Sequence, residues 1–589
     1  MYVAVDTETT GVDTEHDRPF CLSYCFESGA KDCKFEDPQL PRVLTNHLLH
    51  SYTPVFHNAK FDLKMLQNVG FDLPAEFEDT MLMGYILNEY HESQSLEHLV
   101  RRYLKRKKYS DPEFPAWIKA NKQDIKENGY LNAPRELIEP YAIDDAVNTL
   151  LLFFYLHSAL EKADLLEVYE FEKKVLLFLI ELERTGLQVD VPYSFEHYQA
   201  AIDREAEYTS FFKDIGLENP NSHAQVRQAF NSSGYKISST KKAVLEQLVA
   251  EGSKLAQKIL EYRSVNTIRT RYIRGVLEKT EVETHRVYAN FNQCATKTGR
   301  FSSSDPNFQN MPKNKTEKEF SEAGRGMFIP TPGYYFVGAD YDQQEIRIIA
   351  DETKDPTLLE LLQGTGDVYV EIAKLMWPEE EITKDLRWIA KQTTLGMAYW
   401  MGAQRFVNQA AQFGQMISIS KAKDIIDQFS SQFGLIVSRR DSLCSDVRKF
   451  GFVLDRYGRR YRIPRDLAYK ALNAVVQGTA AGMMKRALLF LRDLITQKNL
   501  PMRIVNTIHD EILCEAERSF PQVDAAQVIL YAMSESARPL FSLPITASPK
   551  FYGERWSETV SCKSWESMQH STPLELPACL MGTSSTRQR

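Results

Sequence analysis

Two apolar segments of this chain, far apart in the sequence, each run directly into carboxylates. Tyr2–Val5 leads to Asp6 and Glu8, and Tyr334–Val337 leads to Asp340. Aromatic and β-branched residues favour strands in both segments, so we expect each set of carboxylates where a strand ends. A chain of 589 residues is also too long for a single hydrophobic core. The sequence therefore predicts several domains, with acidic chemistry in at least two places.

The overall charge restricts the kind of partner that the chain can bind. The formal net charge is −8, so the chain as a whole does not attract a polyanion. A nucleic-acid partner would need Lys and Arg clustered locally. This counts slightly against a protein that only binds DNA. It does not count against an enzyme that binds metals with carboxylates and DNA with a basic groove.

The cysteines and the apolar runs indicate the compartment. The eight cysteines form no CxxC pair, so we expect free thiols in a reducing environment. No apolar run reaches the roughly 20 residues of a membrane span. A strand with acidic residues begins almost at once, so we expect no signal peptide. These features predict a cytoplasmic protein with no membrane partner.

Three pairs of polar residues follow one another in the first third of the chain. The two carboxylates of the first pair are two residues apart on an extended segment and point the same way. They repel each other unless cations lie between them. The members of the other two pairs are four residues apart in predicted helices, so each pair shares a face. The pairs are Asp6 and Glu8, Asn58 and Asp62, and Tyr141 and Asp145 at the predicted start of a helix.

This set resembles the three motifs of the DEDDy-type 3′–5′ proofreading exonucleases. The resemblance implies an RNase H-like α/β domain over residues 1–165 with two divalent ions that activate a water and stabilise the leaving oxygen. Mg²⁺ suits hard carboxylate ligands, with Mn²⁺ as a substitute. The implied roles are DNA contact for Asn58, positioning of the attacking water for Tyr141, and metal ligation for Asp6, Glu8, Asp62 and Asp145.

Basic residues alternate with tyrosines in the segment Arg101–Tyr109. Such a segment suits a track for a single-stranded backbone. A solvated helix face remains an equal alternative. Further along, residues 193–215 and 240–280 have helical periodicity, which would form an extended helical arm.

The segment Thr296–Pro312 has no periodicity and is rich in turn residues. Long irregular segments in compact proteins are usually functional or disordered. This one closely resembles the TxTGRLSSxxPNLQNIP segment of the family A DNA polymerases, those like bacterial DNA polymerase I, and the similarity continues to about Trp556. It implies DNA contacts by Arg300, Asn307 and Gln309.

Two acidic motifs of the same family follow. Asp340–Arg347 resembles motif A, DYSQIELR, and His509–Glu511 resembles motif C at the tip of a predicted hairpin. The resemblance implies that Asp340 and Asp510 converge and hold two metals for attack by a primer 3′-OH. Its other implied roles are catalysis by Glu511, minor-groove contact by His509, nucleotide binding by Gln343, and exclusion of a 2′-OH by Glu345.

A basic and apolar helix face is predicted over Lys384–Tyr399. Its residues Arg387, Lys391, Leu395 and Tyr399 recur every fourth position. Two cations near the positive end of a helix suit a triphosphate, and the apolar part suits the sugar and the base pair. The simpler alternative is an amphipathic surface helix. The pattern resembles motif B, RxxxKxxNFGxxYG, which implies catalysis by Lys391 and nucleotide binding by all four.

A later segment matches the family's N-x3-QGTAA helix with Asn473 and Gln477. The match implies contact with template and minor groove, whose acceptors exist on every base pair. Among the positions that depart from the family pattern, Asp342 stands for Ser, Tyr369 for His, Leu395 for Phe or Tyr, Trp400 for Gly, Tyr469 for Arg and Gly482 for Asp.

The resemblance thus implies a multidomain α/β and α+β chain, with an exonuclease domain followed by a right-hand polymerase domain over 166–558. Its expected parts are a thumb at about 175–285, fingers at about 351–459, a palm at about 286–350 and 460–558, and a disordered tail at 559–589.

The expected activity is addition of dNTPs to a primer on template DNA, with proofreading, in replication or repair. We expect two Mg²⁺ in each site and a monomer, with a single-strand-binding protein, helicase or processivity factor as possible partners. The resemblance further implies a phage, phage-derived or trimmed bacterial enzyme without a 5′ nuclease domain, in the cytoplasm of a bacterium or of a phage-infected cell.

Two other classes of protein remain as alternatives. A nuclease or DNA-binding protein with an inactive polymerase body is disfavoured because Asp340, Asp510, Arg387 and Lys391 are all present. A single-subunit RNA polymerase would carry neither the exonuclease set nor Glu345.

Overall fold

The structure is a computed structural model that describes residues 1–35, 42–107, 112–312, 318–363, 367–411 and 415–562. The chain forms two compact units. The first comprises Met1–Arg184, Asn292–Phe301 and Phe452–Ile463, and the second comprises the remaining segments. The first unit therefore extends past the boundary expected at residue 165 and includes two segments from later in the chain.

Strands occur in both units. In chain order they are β1 (Tyr2–Thr9), β2 (Pro19–Phe26), β3 (Lys31–Phe35), β4 (Thr53–Phe56), β5 (Glu78–Asp79), β6 (Leu187–Val189), β7 (Arg286–Val287), β8 (Asn290–Asn292), β9 (Ser302–Ser304), β10 (Phe328–Ile329), β11 (Tyr334–Tyr341), β12 (Phe452–Leu454), β13 (Arg460–Arg462), β14 (Met502–Ile508), β15 (Glu511–Glu517), β16 (Ala547–Tyr552) and β17 (Thr559–Val560).

Helices connect these strands. In chain order they are α1 (Arg42–His50), α2 (Ala59–Asn68), α3 (Thr80–Leu87), α4 (Leu96–Leu99), α5 (Glu113–Ala120), α6 (Lys122–Asn128), α7 (Arg135–Lys162), α8 (Leu166–Thr185), α9 (Val191–Asp214), α10 (His223–Ser232), α11 (Lys242–Ala250), α12 (Lys254–Thr267), α13 (Arg274–Leu277), α14 (Lys318–Gly326), α15 (Gln344–Thr353), α16 (Pro356–Gln363), α17 (Val368–Met376), α18 (Lys384–Ala398), α19 (Ala403–Ala411), α20 (Ile419–Gln432), α21 (Gly434–Phe450), α22 (Ala471–Lys498) and α23 (Gln522–Glu535).

The first unit is built on a five-stranded mixed sheet of order β3-β2-β1-β4-β5. The central strand β1 is antiparallel to β2 and parallel to β4. Its apolar run Val3–Val5 is fully buried, as expected for a strand covered on both faces. The helix α7 packs against β1 and β2. This arrangement confirms the predicted α/β class.

Two later segments join this unit through polar contacts with α8. The Arg459 guanidinium lies in the β12–β13 hairpin, and its NH1 donates to Glu172 Oε1 of α8 at 2.8 Å. Gln293 Nε2 donates to the Glu172 carbonyl at 2.9 Å. Arg459 and Glu172 are 5% and 3% exposed, so the ion pair is withdrawn from water. Buried charges require such partners, and this pair anchors the hairpin in the first unit.

The second unit contains a five-stranded antiparallel sheet of order β14-β15-β11-β16-β17. The predicted strand Tyr334–Val337 extends to Tyr341 and lies at the centre. The predicted hairpin is present as β14 and β15. In the register of β11 and β15, Asp340 lies directly opposite Glu511. The long, largely buried helix α22 packs against α23, which contacts β11 and β16.

Some predicted elements differ from those observed. The helix carrying Tyr141 begins at Arg135, so the motif lies inside the helix and not at its start. The predicted helical stretch 240–280 is divided into α11, α12, a π-helix at Ile268–Ile273, and α13. Gly252, just after the end of α11, has φ +90°, a left-handed conformation that glycine adopts most freely.

The tail and the basic segment are only partly described. Thr559–Val560, expected in a disordered tail, forms β17 and pairs with β16. The rest of the predicted tail, from residue 563 onward, lies outside the described residues. In the basic segment, Val100–Leu104 is a π-helix, and residues 108–109 lie outside the described residues. Among the helices described, none is long and apolar enough to cross a membrane.

We predict that Arg459→Met destabilises the first unit by about 3–5 kcal/mol, because it leaves the Glu172 carboxylate buried without its guanidinium. Native-state hydrogen exchange of α8 amides would measure the loss. The double variant with Glu172→Met should recover most of this stability, because it buries no charge. Equal destabilisation by the single and double variants would contradict the assignment of the effect to the ion pair.

Candidate active sites

The N-terminal carboxylates come from one strand and two helices of the first unit. Asp6 and Glu8 lie on β1. Asp62 on α2 accepts hydrogen bonds from Thr7 N–H at 3.2 Å and from Thr7 Oγ1 at 2.7 Å, which ties α2 to β1 between the two carboxylates. Ser23 Oγ on β2 donates to the Ala142 carbonyl at 2.8 Å and holds α7 to the same sheet.

Electrostatic effects show that Tyr141 is close to these acids. Burial raises the pKa of the Tyr141 phenol, and the negative charges of Asp145, Glu8 and Asp6 raise it further. Burial also raises the pKa of Asp62 to about 7, although the hydrogen bonds from Thr7 oppose this rise. The structure therefore brings Tyr141 and Asp145 close to Asp6 and Glu8, and it joins Asp62 to the intervening residue Thr7.

The acids of this site are buried to a degree that suits bound cations. Glu8, Asp62 and Asp145 are 7%, 3% and 6% exposed. Buried carboxylates need positive partners, and carboxylate oxygens are the ligands that Mg²⁺ prefers. Within the described ranges, no three His, Cys, Asp or Glu side chains form a closed metal-binding cluster. Buried carboxylate oxygens of this kind fit a hard divalent cation.

Sequence reasoning missed Asp79, whose carboxylate accepts hydrogen bonds from backbone amides at the start of α2. Its Oδ1 caps α3 by accepting from Met81 N–H at 2.8 Å and also accepts from Asn58 N–H at 3.1 Å, while Oδ2 accepts from Ala59 N–H at 3.0 Å. Asn58 itself is the N-cap of α2, with φ 75°. Burial raises the pKa of Asp79 to about 6. The available signal was an Asp, a common N-cap residue, directly before the apolar segment Thr80–Leu87.

In the second unit, the two predicted aspartates lie side by side. Asp340 is opposite Glu511 in the ladder, and Tyr341 N–H donates to the Asp510 carbonyl at 3.1 Å. Asp340 Oδ2 accepts from Lys550 Nζ at 2.7 Å. Asp340 Oδ1 is buried and has no hydrogen-bond partner among the described residues. An unsatisfied buried carboxylate oxygen is costly, so this oxygen fits a cation ligand.

Glu511 differs from the two aspartates because it is fully buried and doubly bound. Its Oε2 accepts from Lys550 Nζ at 2.8 Å, and its Oε1 accepts from Tyr552 OH at 2.8 Å.

The structure also shows the orientation of the Asp342 side chain, which stands where the family pattern has Ser. Its Oδ1 accepts from Ser548 Oγ at 2.6 Å. Sequence reasoning missed Lys550, Tyr552 and Ser548, whose only signal was their alternate positions on one strand.

Gln309, predicted to contact DNA, has a different role in the structure. It is 7% exposed, its Nε2 donates to the Thr507 carbonyl at 2.6 Å, and its Oε1 accepts from His509 N–H at 3.0 Å. Both ends of the amide are therefore used to hold the β14–β15 hairpin. His509 is exposed and has φ 56°. Asn307 caps the short 3₁₀ turn that carries Gln309, accepting from Asn310 N–H at 3.2 Å.

The helix α18 presents the four predicted residues along one side. Its start is capped by Thr383, whose Oγ1 accepts from Leu386 N–H at 3.2 Å. The positions that flank the four, such as Ile389, Ala390, Thr393 and Thr394, are buried. Arg387, Lys391, Leu395 and the C-cap residue Tyr399 are partly or fully exposed.

Contacts already orient most members of this face. Arg387 Nε donates to Asp367 Oδ2 at 2.7 Å, and the same oxygen also accepts from NH2. Lys391 Nζ lies 5.8 Å from the ring centroid of Tyr369. Tyr399 OH donates to Glu345 Oε2 at 2.9 Å. Glu345 is thus held on the first turn of α15, next to the N-cap residue Gln343, which has φ 52°.

The structure shows the surroundings of two residues that depart from the family pattern. Tyr369, in place of histidine, is 2% exposed, and burial raises its pKa. Trp400, in place of glycine, has φ 72°, a conformation that favours glycine. The centroid of its ring lies 4.2 Å from the guanidinium carbon of Arg440 on α21, which is a cation–π contact.

The remaining predicted DNA contacts are divided between the units. Asn473 and Gln477 are partly exposed on α22, whereas the residues between them are buried. Tyr469 is 45% exposed just before that helix. Arg300 lies in the first unit, where its carbonyl accepts from Thr296 Oγ1 at 2.7 Å.

Comparison with known families accounts for both sets of acids. Residues 197–558 match the model of DNA polymerase family A, and residues 1–161 match a 3′–5′ exonuclease model. The chain is 28% identical to DNA polymerase I of Borreliella burgdorferi over 95% of its own length and 62% of that protein's, and 29% identical to DNA polymerase I of Chloroflexus aurantiacus over 89% and 55%. It thus spans less than two thirds of the length of these bacterial relatives.

A phage protein and a solved structure are similar over nearly their whole length. DNA polymerase DpoZ of Acinetobacter phage SH-Ab 15497 is 26% identical, with 86% of this chain and 90% of that protein covered. The POL domain of Pol1 from M. smegmatis, solved in complex with DNA primer-template and dNTP, superposes with a TM-score of 0.80 at 24% identity and covers 94% of this chain. This likeness confirms the predicted fold. The chain therefore belongs to DNA polymerase family A and carries an N-terminal 3′–5′ exonuclease domain.

Proposed function

We propose that this chain is a DNA-directed DNA polymerase that extends a primer with dNTPs and proofreads it with a 3′–5′ exonuclease. The observation that carries the proposal is the β11–β15 ladder, which sets Asp340 opposite Glu511 and beside Asp510 in a family A chain. The acids arranged around β1 support the second activity in the same way.

In the polymerase site, Asp340 and Asp510 would hold the metal ions. Bound metals would lower the pKa of the primer 3′-OH and neutralise the charge that develops on the triphosphate. Asp340 is oriented by Lys550, which leaves its second oxygen for a cation. The hairpin that carries Asp510 is held in place by Gln309. Catalysis by these residues is then mainly positioning and charge neutralisation.

Nucleotide binding is assigned to α18 and α15. Arg387 and Lys391 would bind the triphosphate near the capped N-terminal half of α18. Arg387 must exchange Asp367 for a phosphate when the nucleotide binds. Glu345, fixed by the Tyr399 hydroxyl, would lie under the sugar and exclude a 2′-OH. Leu395 would contact the nascent base pair.

In the exonuclease site, Asp6, Glu8, Asp62 and Asp145 would hold metal ions, and Tyr141 would position the attacking water. The raised pKa of Tyr141 keeps its hydroxyl protonated, so it can donate a hydrogen bond at neutral pH. Mg²⁺ is the expected ion in both sites, two in each, and Mn²⁺ is a substitute.

The remaining roles follow from the same assignment. Asn58 would contact the DNA strand in the exonuclease site, and Arg300, Asn307, Asn473, Gln477 and His509 would contact primer and template. The thumb, palm and fingers boundaries expected from sequence are retained as part of the proposal. We expect a monomer in the cytoplasm that works with a single-strand-binding protein, helicase or processivity factor.

We predict that Asp340→Ala lowers primer extension on the order of 10³-fold while primer shortening continues, because only the polymerase site loses its ligand. A gel assay of a labelled primer–template with Mg²⁺, run with and without dNTPs, reports both activities. Extension at the normal rate by this variant would refute the palm assignment.

The reciprocal change, Asp6→Ala, should abolish primer shortening and leave extension intact. The same assay applies, with a mismatched 3′ end as the more sensitive substrate. Persistent shortening would exclude the proposed exonuclease site.

We predict that Glu345→Ala increases ribonucleotide incorporation by at least about tenfold, since the carboxylate no longer excludes the 2′-OH. Single-turnover rates with dNTP and rNTP would measure the ratio. Tyr399→Phe keeps Glu345 but removes the hydroxyl that holds it. In this control, ribonucleotide incorporation should therefore increase less than in Glu345→Ala. Unchanged discrimination in Glu345→Ala would count against the gate.

A further inference from the structure

One ammonium group joins two carboxylates from neighbouring strands of the palm sheet. Lys550 Nζ on β16 donates to Asp340 Oδ2 on β11 at 2.7 Å and to Glu511 Oε2 on β15 at 2.8 Å. The Lys550 side chain is 24% exposed, and the Glu511 side chain is 1% exposed. The ammonium is thus largely withdrawn from water and is shared by two acids.

This contact belongs to a regular series along β16. Ser548, Lys550 and Tyr552 are two residues apart, so their side chains share one face of the sheet. They donate in order to Asp342, to Asp340 and Glu511, and to Glu511. Each acid on this face therefore has a donor from the same strand.

The register leaves room for the Lys550 side chain. Its partner on β11 is Gly338, which has no side chain. A Cβ at Gly338 would lie 2.6 Å from the Ile512 carbonyl oxygen and 3.5 Å from Tyr552 Cε2. The glycine therefore allows close packing of β11 against β15 while Lys550 reaches both acids.

These contacts use the carboxylate oxygens of Glu511 and Asp340 differently. Both oxygens of Glu511 accept from β16, whereas Asp340 uses only Oδ2 and keeps its buried Oδ1 without a hydrogen-bond partner in the described chain. Two facing carboxylates without a cation would repel each other, and one of them would turn away or take up a proton. Lys550 offsets that repulsion together with Arg325, whose NH1 lies 3.9 Å from Glu511 Oε2, and the Lys550 contact with Asp340 Oδ2 fixes which oxygen of Asp340 is available.

We propose that Lys550 is a positioning residue of the polymerase site. Its fixed positive charge holds Asp340 and Glu511 together before a divalent cation binds, and it directs Asp340 Oδ1 toward that cation. Glu511 acts through Lys550 and is not a metal ligand. Because the ammonium is close to the cation site, its positive charge also weakens cation binding. The same contact keeps the Asp340 carboxylate in the orientation that catalysis needs. The inference rests on the proposed polymerase function.

The test measures Mn²⁺ binding and primer extension separately. Free Mn²⁺ is followed by electron paramagnetic resonance without DNA, in an Asp6→Ala background that removes one proposed metal ligand of the exonuclease site. Subtracting an Asp340→Ala curve isolates the palm site. Lys550→Met should bind Mn²⁺ about fivefold more tightly, since a nearby positive charge is gone. Its extension rate should fall at least about tenfold and should not recover at high Mg²⁺.

Matched variants separate charge from packing. Lys550→Gln keeps a hydrogen-bond donor without the charge and should tighten Mn²⁺ binding as Lys550→Met does, even if the Met variant folds poorly. Lys550→Arg keeps the charge and should leave Mn²⁺ affinity unchanged. Lys498→Met, on the exposed end of α22, should change neither quantity.

Two results would overturn the proposal. One is an unchanged Mn²⁺ affinity in both neutral variants, whatever their extension rate, since Lys550 would then serve packing alone. The other is an unchanged extension rate in Lys550→Met. If the parent protein itself extends no primer, the proposed function fails, whereas the Mn²⁺ measurement still reports on Lys550.

Discussion

The proposed polymerase site depends on placing carboxylates from adjacent strands opposite one another without letting them repel. Asp340 and Glu511 face each other across β11 and β15, and Asp510 follows at the hairpin tip. In an antiparallel ladder, a shift by one residue would send one of them to the other face. The structure meets this constraint with a glycine at position 338, a buried Gln309 that holds the hairpin, and a row of donors on β16.

The first unit positions its carboxylates in a different way. Its acids come from one strand and two helices, so register alone cannot bring them together. Thr7 binds Asp62 with both its amide and its hydroxyl, and Asp79 fixes the start of α2 through backbone amides. These neutral donors orient the carboxylates but do not neutralise them. Burial disfavours the charged carboxylates and raises the pKa of Asp62 to about 7 and that of Asp79 to about 6, although these hydrogen bonds lower both values.

Local patterns predicted the strands and helices that carry the candidate reactive residues, but they did not reveal the residues that support them. Asp340, Asp510, Arg387 and Lys391 belong to motifs whose spacing is visible in the chain, and the strands and helices around them form where the pattern predicts. Lys550 was missed because a lysine on a short strand near the C-terminus has no local signature. Gln309 was assigned to DNA because an exposed loop glutamine and a buried one look identical in sequence. Only the folded chain shows that its amide is used by Thr507 and His509.

By itself, the sequence determined the family, the two acidic sets, the periodicity of α18 and the strand that ends at Asp340, because these depend on spacing along the chain. The tertiary structure alone decided which groups surround the acids. It joined the β12–β13 hairpin to the first unit through Arg459 and Glu172, and it set Lys550 between Asp340 and Glu511. Contacts between residues that are remote in the sequence depend on sheet register and helix packing, and no local pattern records them.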